Sequence, residues 1–529
     1  MGVWARIRNV FKPTPAPPRR ARPSMARYAA AAVTRLTSSW MGGLRSANQE
    51  VDGVLTVLRG RSRQLCRDNP HAKGFLTLLK VNVSGPDGIG LQAQYLNTRN
   101  ELHTTYNRAV ELAWAKWGRA ATATADGRLS WPEFLQQCDA LEAQDGEILI
   151  QRIRDPAHPY RYTVRLLDPD QLDESLSQRG SDGTGPEIRM GVELGRYGRP
   201  VAYWIRPRHP NEPGGRTDAN KPERIPASDV LHCFIQERPG QVRGVPWLTP
   251  VALRIRLLDK WEEAALTAAT IGAAKMGFFV DKREDPGEGY DTPTDADSGA
   301  DEGGFRMDAE PGTFGQLPPG MEFQSFDPDY PNIAFEQFER AMLRSIATGL
   351  GVSYTSLAND LTAVNYSSIR AGLLTERDVY RMLQHRRIEH VCRPVFRDWL
   401  EEATLADQIG GAIYRFDDVA EAMVWKPRGW AWVDPKSDVQ AVKEMIALGL
   451  DSRTAAAARL GGDFQDNLEM LKREMDLADT AGVPIMGLTS QGDQVGETTN
   501  DSSTGTSGAG SDASDDAARA ARLRVVRGA

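Results

Sequence analysis

The residues able to do chemistry in this sequence are few, and their spacing argues against most of it. His385 and His390 lie five apart in a stretch that reads as helix, so they do not stack on one face. No HExxH run and no paired Cys/His ligands occur, so no metal site is expected. Cys66, Cys138, Cys233 and Cys392 are far apart and form no CxxC, which points to reduced, buried thiols. Asp291, Asp295, Asp297 and Asp301 gather carboxylates. However, the calcium-loop pattern, with glycine in sixth place and glutamate in twelfth, is absent, so the stretch reads as a solvated acidic loop. GPDGIG at 85–90 lacks the strand and helix that flank a phosphate-binding turn. There is no GxxxxGK[ST] and no GxSxG. Glu262-Glu263 and Glu401-Glu402 read as solvated helix faces. Nothing here argues for an enzyme, a cofactor or a metal.

The 529 residues suffice for several domains or one multi-lobed subunit, and 40% hydrophobic with 26% charged residues can bury a core. A net charge of −7 argues against a large basic face that grips nucleic acid. No run of 18 apolar residues occurs, and the start lacks the apolar centre of a secretory signal. Residues 1–27 carry seven Lys/Arg, five prolines and no acid. That composition reads as a disordered basic arm; its functional reading is contact with nucleic acid or an acidic partner.

Stepping along the chain, apolar spacing predicts a helix over 48–68, ended by Asn69-Pro70, and another over 71–80. VNVSGPDGIGLQAQ reads as a strand broken by a glycine-rich turn, and 98–118 and 130–143 as helices. From 146 to 235 the pattern is strands: EILIQRI, YRYTVRLL, EIRMGVEL and PVAYWIR as a hairpin around GRYGR, then DVLHCFI. The class is α+β. Pro246 to Lys275 reads as one long helix, rich in small residues at Ala264, Ala265, Ala268, Ala269 and Gly272, where another helix can approach closely. GFFVDKRED and PGTFGQLPPGMEFQSF read as strands, the latter pair around a Pro318-Pro319-Gly320 turn. A helix over 333–349, stopped by Gly349 and Gly351, precedes a long helix over 367–400, bent near Pro394. Short strands follow over 411–432. Ser437-x-x-Gln440 reads as a capping box, with short helices to about 480. From 489 the chain is low-complexity.

Between the two later helices runs GLGVSYTSLANDLTAVNYSSIRAG, longer than most helix connections and nearly uncharged. Its polar side chains are hydroxyls, amides and one carboxylate, Asp360.

The stretches 63–94, 237–269 and 349–381 resemble portal proteins of tailed bacteriophages, the lambda family in particular. With the order of elements the resemblance covers about 40–480. It implies a portal-protein fold with long stem helices, a β-containing wing and clip, and a helical crown. The expected division is a basic arm 1–28, wing 29–246, stem helix 247–276, clip 277–331, second stem helix 332–350, tunnel loop 351–366, long helix and wing return 367–435, crown 436–485 and tail 486–529. It implies a homo-oligomer, a dodecamer of about twelve chains, at one capsid vertex. That ring would be the channel for DNA packaging and ejection, the docking site of the terminase motor and an initiator of capsid assembly. Its implied partners are double-stranded DNA, the terminase large subunit, major capsid and scaffold proteins, and head-completion or adaptor proteins. The implied location is the virion, and the host cytoplasm during assembly. Tyr354, Thr355, Ser356, Asn359, Asp360, Thr362 and Asn365 would line the channel without holding DNA, with Asp360 adding mild repulsion. Ala264, Ala265, Ala268, Ala269 and Gly272 would pack subunits. Twelve chains of −7 sum to about −84, which suits a wall that keeps DNA off it. The competing readings are a packaging enzyme, either a terminase or a capsid protease, and a capsid or tail adaptor without a channel.

Overall fold

The computed structural model describes residues 43–178, 186–213, 220–273, 277–281, 321–325, 335–362, 366–410, 415–430 and 435–482. The basic arm, the acidic loop with Asp291, Asp295, Asp297 and Asp301, the Pro318-Pro319-Gly320 turn, Asn365 and the tail lie outside them. The chain divides into two compact units at Phe464/Gln465.

Ser46 caps helix α1 (Ala47–Val51) in a box with Gln49. The expected single helix over 48–68 is therefore two. Gly53 at φ +73° breaks the turn, and α2 (Leu55–Asp68) starts afresh. Asn69 accepts from the Ala72 N–H at 2.8 Å and Pro70 opens α3 (Pro70–Leu79). The expected strand after it is mostly a π-helical turn, Lys80–Ser84. Its end is pinned by Asp139, which accepts from Ser84 N and Oγ at 3.1 and 2.5 Å. Only β1 (Gly90–Ala93) is extended, paired with β11 (Met423–Lys426). Helix α4 (Thr104–Trp117) begins later than expected. Asn97 accepts from the Arg99 and Glu101 N–H groups and holds a turn there, and His103 caps the helix. Ser130 and Glu133 form a capping box on α5 (Trp131–Asp145).

The strands pair antiparallel, as expected. β2 (Glu147–Arg154) lies between β3 (Tyr162–Leu167) and β8 (Val230–Phe234). A second sheet runs β4 (Glu187–Arg189), β5 (Val192–Leu194), β6 (Pro200–Ile205) and β7 (Glu223–Pro226). EIRMGVEL is not one strand but two, turned at Met190-Gly191, both at positive φ. The long helix α6 spans Ala252–Ala273, and β9 (Gly277–Asp281) pairs with β10 (Met321–Ser325).

Helix α7 (Phe335–Leu350) is followed by a short α8 (Tyr354–Ala358) and by α9 (Tyr366–Arg387). The bend near Pro394 is a π turn, Ile388–Cys392, feeding α10 (Arg393–Leu405). Proline has no N–H and crowds the carbonyl four residues back, so the ladder slips there. After α11 (Phe416–Glu421) come α12 (Pro435–Ala447) and α13 (Arg453–Arg459). Ser437 is the third residue inside α12 and so is not its cap. Helix α14 (Phe464–Ala481), which from Gln465 onward belongs to the second unit, buries none of its side chains.

Three apolar clusters hold the first unit. One stacks Trp114, Trp117, Trp131, Phe396 and Trp399 between α4, α5 and α10. Another packs α2, α3, α6, α7 and α9 through Leu65, Phe75, Ile255, Leu343, Ile346 and Leu383. The third lies between the two sheets. All four cysteines are free and buried. No described helix is long and apolar enough to cross a membrane.

Candidate functional site

The polar link after α7 is an anchored structure. Gly351 at φ +71° ends the helical run, and Ser353 caps α8, accepting from the Ser356 N–H at 3.1 Å. Leu357 and Val352 are buried beneath it. The Ser356 hydroxyl donates to Glu376 at 2.8 Å, and Tyr380 donates to the same carboxylate at 2.6 Å. Glu376 is itself buried on α9. On the other side the Tyr354 hydroxyl donates to Asp360 at 2.7 Å. Asp360 also accepts from Thr362 N and Oγ1, at 3.0 and 2.5 Å, and pairs with Arg340 at 3.4 Å. The Thr362 hydroxyl and N–H, then the Tyr354 hydroxyl and Arg340, hold the Asp360 carboxyl well below the usual range. The Arg344 guanidinium lies 5.4 Å from the Tyr354 ring centre.

The six described link residues therefore differ in role, Asn365 lying outside the described residues. Tyr354, Ser356 and Asp360 spend their polar groups inside the chain, and Thr355 is half-buried beside Ser353. Asn359, Leu361 and Thr362 form the exposed tip. Asn359 takes the left-handed conformation, φ 52°, that closes α8 and turns the chain outward. Arg340, Glu376 and Tyr380 were not anticipated. A trace of them exists in the sequence, since Glu376 and Tyr380 lie one turn apart on the apolar side of α9 that carries Leu383.

The small residues of α6 divide as well. Ile255, Leu258 and Ala265 face inward, and Trp261 stacks on Phe335 of α7 with ring centres 4.4 Å apart. Gly349 of α7 permits the close approach, because a Cβ there would sit 2.4 Å from Val251 Cγ1. Ala264 is exposed and Ala268 and Ala269 are half-buried. Gly272 lies in the helix; its surroundings are not among the described residues. Leu253 and Leu257, 71% and 53% exposed, extend the line of Ala264 and Ala268 at helical spacing. One side of α6 thus packs within the chain, and another presents Leu253, Leu257, Ala264 and Ala268 outward beside exposed Lys260.

Several buried charged groups among the described residues are structural. Arg243, fully buried, grips Glu147 through Nε at 2.9 Å and Nη2 at 2.5 Å. Glu147 also accepts from Gly244 N and contacts His232 Nε2, each at 2.9 Å, and Arg59 at 3.3 Å. Burial alone would raise Glu147, but Arg243 and His232 outweigh it and hold the carboxyl far below its ordinary value. Asp168, Asp170 and His209 cluster as a metal site would, yet Arg63 donates to both carboxylates and takes the cation's place. Glu402, expected to be solvated, is buried and paired with Arg154 and Arg161, because α10 packs its flank on the β2–β3 sheet. Glu262 is half-buried and its Oε1 has no hydrogen-bond partner; burial pushes its pKa up. His385 and His390 are exposed.

The profile of lambda-family phage portal proteins matches residues 33–384, more than half of the chain. A probable portal protein of Halomonas phage phiHAP-1 is 32% identical over 496 residues, covering 92% of this chain and 94% of that one. Portal protein B of Escherichia phage lambda is 24% identical over 476 residues, covering 83% and 88%. Among solved structures, a chain in the neck of a native gene transfer agent particle, computed with C12 symmetry, is 15% identical. It covers 76% of this chain and 93% of that one at a TM-score of 0.42, too distant to carry weight. On the profile and the phiHAP-1 relative, the chain belongs to the lambda family of phage portal proteins, structural components of the virion and not enzymes.

Proposed function

We propose that this chain assembles into a closed ring of about twelve copies at one capsid vertex and serves there as the portal. In this role it is the channel for DNA packaging and ejection, the docking site of the terminase motor and later the head–tail connector. It also initiates capsid assembly. Family membership supplies the class. The observation that carries the assembly is the outward stripe of Leu253, Leu257, Ala264 and Ala268 on α6. Such a stripe lets identical helices stand side by side at close range. A ring of copies is the closed arrangement in which each chain both gives and receives that contact.

In this reading α6 and α7 are the stem, and the β9–β10 pair belongs to the clip over 277–331. The helices after 435 form the crown, and the segment 351–366 faces the channel. Asn359 offers exchangeable amide contacts to passing DNA, Thr362 stands beside it with its hydroxyl held by Asp360, and Asn365 belongs to the same collar. Tyr354, Thr355, Ser356 and Asp360 keep that tip in place. Asp360 repels phosphate less than its bare charge suggests, because Arg340 and Tyr354 partner it. The ring works in the host cytoplasm during assembly and stays in the virion. It contacts the terminase large subunit, major capsid and scaffold proteins, and head-completion proteins.

Electron microscopy of the purified full chain tests this reading. Rings with a central hole about as wide as duplex DNA are expected. A chain that stays monomeric under all assembly conditions, or rings with 351–366 on the outer surface, would refute it.

A further inference from the structure

A cleft of about 540 Å³ opens where the turn into α6, the end of α7 and the middle of α9 meet. Its walls are apolar, among them Phe75, Val352, Met382 and Leu383. Met382 is 61% exposed although it stands beside buried Leu383. Two polar groups on lining residues, Trp247 Nε1 and Thr249 Oγ1, are buried without a hydrogen-bond partner. The one charged residue among the described lining residues is Glu237. The occupant that suits these walls is a peptide with apolar side chains and positive charge near Glu237.

This chain carries such a peptide. Val3, Trp4, Ile7, Val10 and Phe11 recur at helical spacing, interleaved with Arg6 and Arg8, and no acid occurs before residue 28. The described chain also begins beside the cleft. Arg238, next to Glu237, donates to the Arg45 carbonyl at 2.9 Å and pairs with Glu50. Asn48 donates to Gly240 O at 2.8 Å. Some 30 residues lie between Phe11 and that anchor, which extended reach up to about 100 Å. We propose that residues 3–11 dock in this cleft of their own chain, with Trp4 or Phe11 among the apolar walls and Arg6 or Arg8 against Glu237.

The test uses the full chain carrying Trp4→Cys and Met382→Cys, mildly oxidised. The four native cysteines are buried and stay out of the reaction. A cross-link within one chain, reversed by reductant, is expected. Deleting residues 1–12 should speed maleimide labelling of Met382→Cys about tenfold. A labelled peptide of residues 1–14 should bind the truncated chain saturably, and Met382→Arg should abolish that binding. A ladder of linked chains would assign the cleft to a second copy's arm and overturn docking within one chain. Absence of any cross-link, with labelling unchanged by the deletion, would overturn the proposal altogether.

Discussion

At the scale of single residues, Glu147 is where several backbones meet. Replacing it with Gln leaves the fully buried Arg243 without its counter-charge, which costs about 3–5 kcal/mol. Urea unfolding should show that loss. A Glu147→Gln/Arg243→Met double variant should recover part of it, since the stranded charge is then gone as well. Asp360 makes a second prediction, about pH. Its folded pKa is depressed, so its contribution to holding the link is present above the unfolded carboxylate value and is lost as pH falls through the lower folded one. Hydrogen exchange across 353–362 should therefore stay slow at mildly acidic pH and speed up only below the ordinary carboxylate range. Asp360→Asn should remove that dependence.

At the scale of elements, helix α6 separates two kinds of packing that composition alone merges. Ala265 is buried within the chain, so Ala265→Trp should lower the stability of the isolated subunit by about 1–3 kcal/mol through overpacking. Ala264→Trp should leave the subunit's melting temperature unchanged and lower ring yield. Ala268→Trp should lower ring yield too. Size-exclusion chromatography with calorimetry separates these outcomes, and unchanged ring yield for both outward variants would count against the stem role. The sequence 237–269 shows why a strong motif need not be a site. Its Arg243 plugs Glu147. Gly244 crosses Gly146 so closely that a Cβ on Gly146 would lie 2.3 Å from the Val245 carbonyl carbon. Gly146 sits at φ +87°, so Gly146→Ala is strained twice, by conformation and by contact, and should cost about 3 kcal/mol or more.

At the scale of the whole molecule, an acidic subunit is a poor glue for DNA. If the tip residues Asn359 and Thr362 are the ones that meet the duplex, few phosphates are neutralised. The dependence of DNA retention on salt should then be shallow. Filter binding of short duplexes to purified rings checks this. A steep slope, like that of a protein making many phosphate contacts, would mean that a basic surface faces the channel instead.

The sequence by itself determined the helices with caps and the alternation of the strands. Those depend on neighbours within a few residues: Asn69-Pro70 ends one helix where expected, Ser130 opens another, and β2, β3, β6 and β8 lie where the strand pattern placed them. It also established the family, because three long stretches in the right order are rarely shared by chance. The tertiary structure alone decided what each polar residue faces. A π turn replaced the expected strand because Asp139, on another helix, holds Ser84. Glu402 lost its solvent to a sheet far away in sequence. The long polar link is held by Glu376 and Arg340, which arrive only when α7 and α9 pack. Caps and periodicity are local energies written in consecutive residues. Burial and pairing across hundreds of residues are not, and they exist only once the chain has closed on itself.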